Sequence, residues 1–383
     1  MFAAIGHSDL VRSAEAAGAV ITQAREGLGG REVAAVILTV GPEYDSQKVL
    51  DLVCDAFPGV PLIGGSVAGS FTSAEGFTGE GVVLTALSGV EASSGLGEGL
   101  SSDPAAAAGT AVEAALRCGF SPKVCIMVPE GIPVNGAAVA VAVNQALDGA
   151  CPAVGASSGD HRGTQPALDP TVQFFGRRVL SDSIPVLLLG GDVEVGIGVA
   201  CGWEVMGETR TITRASGTTV YEIDGMPAVD IYRAMFPDTD QSAWSAYPLA
   251  VLPDYPESTD FFVRAVFAAN EDGSLTLGAS VVEGAKVALA DLGSGAVVEG
   301  TARAVTAARD RMSRDPKVVL LFSCAARQWM LGTKAHKDVA AAAGALSGAV
   351  QVSGYYGFGE YAPLGLNRRA RFHQMTAAAL LLG

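Results

Sequence analysis

Three short apolar runs set the rhythm of this chain, each followed by a helical stretch and a second short run that closes on glycine. Val36-Ile37-Leu38-Thr39-Val40 leads to Pro61-Leu62-Ile63-Gly64-Gly65-Ser66. Val124-Cys125-Ile126-Met127-Val128 leads to Pro152-Ala153-Val154-Gly155-Ala156-Ser157, and Val318-Val319-Leu320-Leu321-Phe322 leads to Val350-Gln351-Val352-Ser353-Gly354-Tyr355. Runs this short and this apolar read as strands buried on both faces, and a helix between two of them makes a parallel crossover unit. The repetition predicts that binding or chemistry sits at the strand ends of these units.

The stretches between the runs carry helix signals. Leu10, Ala14, Ala17, Ile21 and Ala24 form one stripe that stops near Gly29-Gly30. Asp45 or Ser46 caps a helix with Val49, Val53 and Phe57, and Asp103-Pro104 opens another that Gly119 closes. A further helix runs from Asn135 through Val139 and Val143. After Gly202-Trp203 the texture changes. Thr209 to Ile223 reads as extended chain turning at Ser216-Gly217, a helix carries Ile231 and Met235, and a meander follows Phe261. A long helix from Gly295 to Met312 precedes the third unit. The expectation is an α/β, two-domain protein built from repeated strand-helix-strand units with mixed sheets, divided into 1–205 and 206–383.

Composition narrows the function. With 383 residues, 49% apolar and 17% charged, the chain reads as well packed, and two domains are the default. A net charge of −15 excludes nucleic acid and anionic membrane surfaces as natural partners. The N-terminus, Met1-Phe2-Ala3-Ala4-Ile5-Gly6-His7, lacks the cationic and apolar regions of a signal peptide. Six cysteines without a Cys-x-x-Cys pair read as reduced, buried thiols in a cytoplasmic protein. The four histidines, at 7, 161, 336 and 373, have no short-range ligand partner, so neither a metal nor a cofactor is expected.

Candidate site residues cluster at the strand ends. Phe322-Ser323-Cys324-Ala325-Ala326-Arg327 follows an apolar strand and opens a helix, which favours a thiolate at Cys324, while Arg327 offers a planar fork to a carboxylate. Gly354-Tyr355-Tyr356-Gly357-Phe358-Gly359-Glu360 combines glycines, aromatic walls at Tyr355 and Tyr356, and a carboxylate, Glu360, suited to an ammonium group. Arg327 and Glu360 together match a zwitterion; they also suit each other. Gly155-Ala156-Ser157-Ser158-Gly159 has the spacing of a nucleophile elbow, but loop residues follow, so Ser157, Ser158 and Asp160 are read as pocket lining. An alternative pairs Cys324 with His373 as a catalytic dyad for acyl or amide transfer. A ligand-free interaction scaffold is the third reading.

In order and spacing, several stretches resemble the FIST family, with its FIST N and FIST C domains. They are Val154 to Asp160, Thr211-Ile212-Thr213-Arg214-Ala215-Ser216-Gly217, Val220 to Ala228, Val281-Val282-Glu283-Gly284, Phe322 to Arg327, and Gly354 to Glu360. The resemblance implies an intracellular sensory module that binds a small polar metabolite, such as an amino acid. It also implies a signalling partner protein, since no kinase, cyclase or chemotaxis output domain is evident. The first copy departs from the family in Gly64-Gly65-Ser66-Val67-Ala68-Gly69-Ser70, where Ser stands in place of the frequent Gly-Glu.

Overall fold

The computed structural model describes residues 1–131, 134–161, 171–238, 240–293 and 295–383. In chain order, the first repeat is β1 (Phe2–Ser8), α1 (Ser13–Leu28), β2 (Ala35–Val40), α2 (Ser46–Ala56), β3 (Leu62–Ser66), a hairpin of β4 (Ser70–Thr72) and β5 (Gly76–Thr78), and β6 (Val82–Ser88). The second repeats that order with β7 (Glu91–Glu98), α3 (Pro104–Leu116), β8 (Pro122–Met127), α4 (Gly136–Leu147), β9 (Ala153–Ala156), β10 (Gln173–Phe175), β11 (Arg178–Leu180) and β12 (Ser183–Gly190). A third round starts with β13 (Val195–Cys201).

Here the chain makes an excursion through β14 (Trp203–Ser216), β15 (Thr219–Ile223), β16 (Met226–Pro227), α5 (Asp230–Met235), β17 (Leu249–Leu252), β18 (Phe262–Arg264), β19 (Val266–Ala269), β20 (Leu275–Leu277) and β21 (Lys286–Leu292). The third round then resumes with α6 (Ala296–Arg309), β22 (Val318–Cys324), α7 (Ala325–Leu331), α8 (His336–Gly344), β23 (Gln351–Gly357), β24 (Glu360–Pro363), β25 (Ala370–His373) and β26 (Thr376–Leu382). The expected single helix after Cys324 is two helices, because Gly332 adopts a conformation that no helix continues and caps the first.

The cap signals hold, whereas the buried stripe of α1 is Ala16, Ala17, Val20, Ala24 and Leu28, with Leu10 outside the helix. Asp45 and Asp103 accept the amides of Lys48 and Ala106 as N-caps, and Gly29 ends α1 in the left-handed region.

The compact units are not two consecutive halves. One is Met1–Ala200 with Val298–Phe372 and Thr376–Gly383; the other is Cys201–Val297 with His373–Met375. The excursion begins at Cys201, and the third repeat returns to the body formed by the first two. The physical reason is strand exchange. Each repeat supplies four strands of its own sheet, in the orders β1-β6-β2-β3, β7-β12-β8-β9 and β13-β26-β22-β23. Each sheet is finished by a hairpin from another repeat: β10-β11 on the first, β24-β25 on the second, β4-β5 on the third. No repeat closes its own sheet edge, so all three are needed.

The inner faces of these sheets share one core, with Ile37 and Ile63, Ile126 and Val154, and Leu320 and Phe322 all buried. Helices cover the outer faces: α1 and α2 bring Val20, Val49 and Val53 onto Val36 and Leu38, while α6 and α8 bring Val305, Ala308 and Val339 onto Val319 and Leu321. Glycines mark the symmetry. Gly64, Gly155 and Gly354 sit opposite Leu38, Met127 and Leu321 in the parallel pairs. At each, a Cβ would run into the carbonyl oxygen of that partner. Across the other edge they face Phe174, Tyr361 and Phe71, so an aromatic ring from the exchanged hairpin faces each glycine.

The smaller unit is an antiparallel sheet, β18-β17-β21-β14-β15-β20-β19, with Trp203, Leu252, Val263 and Ala290 in its core. Tyr232 stacks on Trp244 at 5.1 Å.

Candidate functional site

The register aligns the three strand ends residue by residue. Counting on from the paired glycines, Gly41, Glu130 and Cys324 are equivalent at the end of the first strand of each parallel pair, and Ser66, Ser157 and Tyr356 at the end of the second. Ser70, Gln173 and Glu360 are the matching hairpin positions, opposite Tyr355, Gly65 and Ala156. The ends are stitched together: Gly159 donates to the Ser66 carbonyl at 2.8 Å, Ala68 to Tyr356 at 2.8 Å, and Ser157 to Gly359 at 3.0 Å. Three corners result, and the sequence furnishes each differently.

At the corner of β8, Glu130 is buried and acts as an acceptor hub. Its Oε1 takes the amides of Gly131 (3.0 Å) and Thr171 (3.1 Å) and the Thr171 hydroxyl, and its Oε2 takes Gln173 Nε2 (3.3 Å) and the Asp182 amide (2.9 Å). Gln173 also donates to Ser158 Oγ at 2.8 Å and accepts from Ser183 Oγ at 2.9 Å. These donors converge on its two oxygens, so Glu130 anchors the exchanged hairpin β10-β11.

At the corner of β2, Gly41 leaves a gap that the Glu43 carboxylate fills. Glu43 Oε2 lies 3.3 Å from His161 Nε2, and His161 Nδ1 lies 3.1 Å from the Ala68 carbonyl. Both ring nitrogens face acceptors, an arrangement that favours the protonated ring. The Glu43 hydrogen bond accordingly raises its pKa, against a smaller lowering by burial.

At the corner of β22, Cys324 is buried beside the fully buried Glu360 and favours its charged form. Glu360 Oε2 accepts the Thr376 hydroxyl at 2.6 Å and its amide at 3.3 Å, while Oε1 has no hydrogen-bond partner among the described residues. Burial pushes this carboxyl up to about 8; the bonds from Thr376, the charge of Arg327 and the Cys324 thiol pull the other way. Ser157 Oγ meets the Tyr361 hydroxyl at 3.2 Å, and Tyr355 donates to the Ala156 carbonyl at 2.8 Å.

The FIST N domain matches residues 34–226 and the FIST C domain residues 228–363. The chain belongs to the FIST family. No curated protein matches it. Among solved structures, a cyanuric acid hydrolase aligns over 100% of this chain and 99% of its own, at 11% identity and a TM-score of 0.35, a likeness too low to carry an argument.

The FIST C residues singled out in the sequence fall into two groups. Arg327 lies wholly inside the protein, Nη2 at 2.7 Å from Asp338 Oδ1 and Nε at 3.0 Å from Ser323 Oγ, with Thr301 also on Nη2. Tyr356 donates to the other oxygen of Asp338 at 3.0 Å. Among the described residues, Arg327 pairs with Asp338 and Glu360 takes its bonds from Thr376. Cys324, Tyr355, Glu360 and Ser157 do come together, where β22, β23, β24 and β9 meet. Ser158 belongs to the Glu130 network, and Asp160 is buried beside it in sequence. Residues 157–160 carry no helix, so Ser157 lacks an elbow's geometry; residues 162–170 lie outside the described residues. His373 ends β25 with its ring edge-on to Phe262 at 6.2 Å.

Sequence reading missed Glu130 and Asp338. Glu130 had a signal, since it stands three residues past the strand glycine's partner, as Cys324 does. Asp338 had a weaker one: an acid on the buried stripe of α8 with Val339 and Ala342.

Proposed function

We propose that this FIST protein is a cytoplasmic sensory module that binds a small polar metabolite and passes the signal to a partner protein. The ligand corner is that of Glu360, with Cys324, Tyr355 and Ser157 around it. The observation that carries the reading is the buried Oε1 of Glu360. A buried polar atom left unmatched is costly, by about 1–3 kcal/mol, and a ligand that satisfies it recovers that loss.

The chemistry of the ligand follows. Oε2 already accepts two bonds from Thr376, so the proton of the neutral carboxyl resides on Oε1 and is a donor. It meets an oxygen acceptor, a carbonyl or carboxylate, rather than the ammonium group expected from sequence. Glu360 opens a hairpin that finishes another repeat's sheet, so occupancy bears on how that hairpin seats. A signal requires that the ligand bind the two arrangements unequally.

Thermal melts of the full chain against a panel of amino acids and small organic acids test this. A true ligand at a hundredfold excess over its Kd stabilises by about 2.7 kcal/mol, and Glu360→Leu abolishes that gain. A panel without any stabilising member overturns the reading.

A further inference from the structure

Three thiols of the second repeat gather at one end of one sheet. β7 and β8 each pair antiparallel with β12, so they run parallel to each other, and β8 runs parallel to β9. The helices that make these two crossovers, α3 and α4, therefore both run against the strands and end on the same side, and they pack along each other. Cys118 follows the last residue of α3, Leu116, by two positions, and Cys151 precedes the first residue of β9, Ala153, by two. The Cys125 amide on β8 donates to the carbonyl of Pro152 at 2.9 Å, fixing the segment that carries Cys151 beside β8. Burial raises the pKa of the Cys151 and Cys125 thiols, and a neighbouring thiol adds to each, Cys118 to Cys151 and Cys151 to Cys125.

The three thiols differ in access. Cys118 is partly exposed, whereas the other five cysteines of the chain are buried. Its Sγ lies 3.4 Å from the Phe120 carbonyl. Burial pushes the Cys151 thiol up to about 12, while the nearby charge of Arg368 favours its thiolate.

We propose that Cys118 and Cys151 form a peroxide-reactive pair that closes to a disulfide across the ends of α3 and α4. Cys118 reacts first, as the accessible sulfur. Its thiolate attacks one oxygen of hydrogen peroxide; an S–O bond forms, the O–O bond breaks, and hydroxide leaves and takes up a proton as water. Cys151 then attacks the sulfenic sulfur; the S–S bond forms, the S–O bond breaks, and a second water leaves with the Cys151 proton. Two thiols have lost two electrons together, and peroxide has become two waters. Cys125, on the strand beneath, remains a thiol.

Treating the full chain with limiting hydrogen peroxide, blocking free thiols and mapping peptides without reductant tests the pair. The expected result is a Cys118–Cys151 linked peptide that dithiothreitol releases. In Cys151→Ser the sulfenic acid has no partner, so dimedone labels Cys118; in Cys118→Ser, Cys151 stays reduced at the same dose. A Cys125–Cys151 link, or Cys118 advancing to sulfinic acid in the unaltered protein while Cys151 remains alkylatable, overturns the proposal.

Discussion

Arg327 Nη2 lies 2.7 Å from Asp338 Oδ1, and neither side chain has any exposed surface. Ser323, Thr301 and Tyr356 join the network around the pair. It thus joins β22, α6, α7, α8 and β23, the parts of the third repeat. Breaking such a pair from one side leaves an uncompensated buried charge, so Asp338→Ala should lower stability by about 3–5 kcal/mol in urea melts without ligand. Arg327→Met combined with Asp338→Leu should recover much of that loss. Single changes that cost less than about 1 kcal/mol would show that the network is not structural.

The three repeats were legible because a doubly buried strand needs an uninterrupted apolar run, and each parallel pair needs a glycine where its backbones crowd. Gly64, Gly155 and Gly354 announced this in sequence. The exchanged hairpins were not legible. Ser70-Phe71, Gln173-Phe174 and Glu360-Tyr361 share only an aromatic second residue, and the sheet each joins is decided by packing against another repeat. The excursion after Cys201 was visible as a change of texture, but its return to the same body depends on strand order, which local pattern does not encode. Glu360 was singled out because a carboxylate in an apolar stretch demands a partner. Asp338 was passed over because one acid on an alanine-rich helix resembles a solvated one.

The glycine register yields a paired test. Gly64→Ala places a methyl against the Leu38 carbonyl and should destabilise by roughly 1–3 kcal/mol or more, as overpacking does. Gly18 lies within α1, and a Cβ there meets nothing within 4 Å. Gly18→Ala should therefore stabilise by about 0.5–1 kcal/mol. Chemical denaturation of both variants checks the contrast; equal effects would contradict the register.

His161 should make a small, pH-dependent contribution. Its folded pKa is raised by the Glu43 hydrogen bond, so the stabilisation is fully present below the unfolded value of 6.5 and fades as pH rises through the folded value. The side chains of His161 and Glu43 are 35% and 29% exposed, so solvent screening limits the gain to about 1 kcal/mol at most. Melts of His161→Gln across this range should lose that slope, while the unaltered protein keeps it.

Glu360 predicts a larger slope of the same sign for a different reason. Its folded pKa of about 8 stands above the usual carboxyl value of 4.5, so the folded state holds a proton that the unfolded chain has released. Stability from this group is complete below about pH 4.5 and declines as pH rises toward about 8, by an amount on the order of a few kcal/mol. Glu360→Gln cannot ionise and keeps the carbonyl that accepts from Thr376. It should match the unaltered protein at low pH and surpass it near pH 8, with a flatter profile between. A ligand that accepts the Oε1 proton binds the neutral carboxyl best, so its affinity should fall over the same upper range. Parallel pH profiles for the two proteins would mean that Glu360 ionises freely when folded, and the donor assigned to the ligand corner would be lost with it.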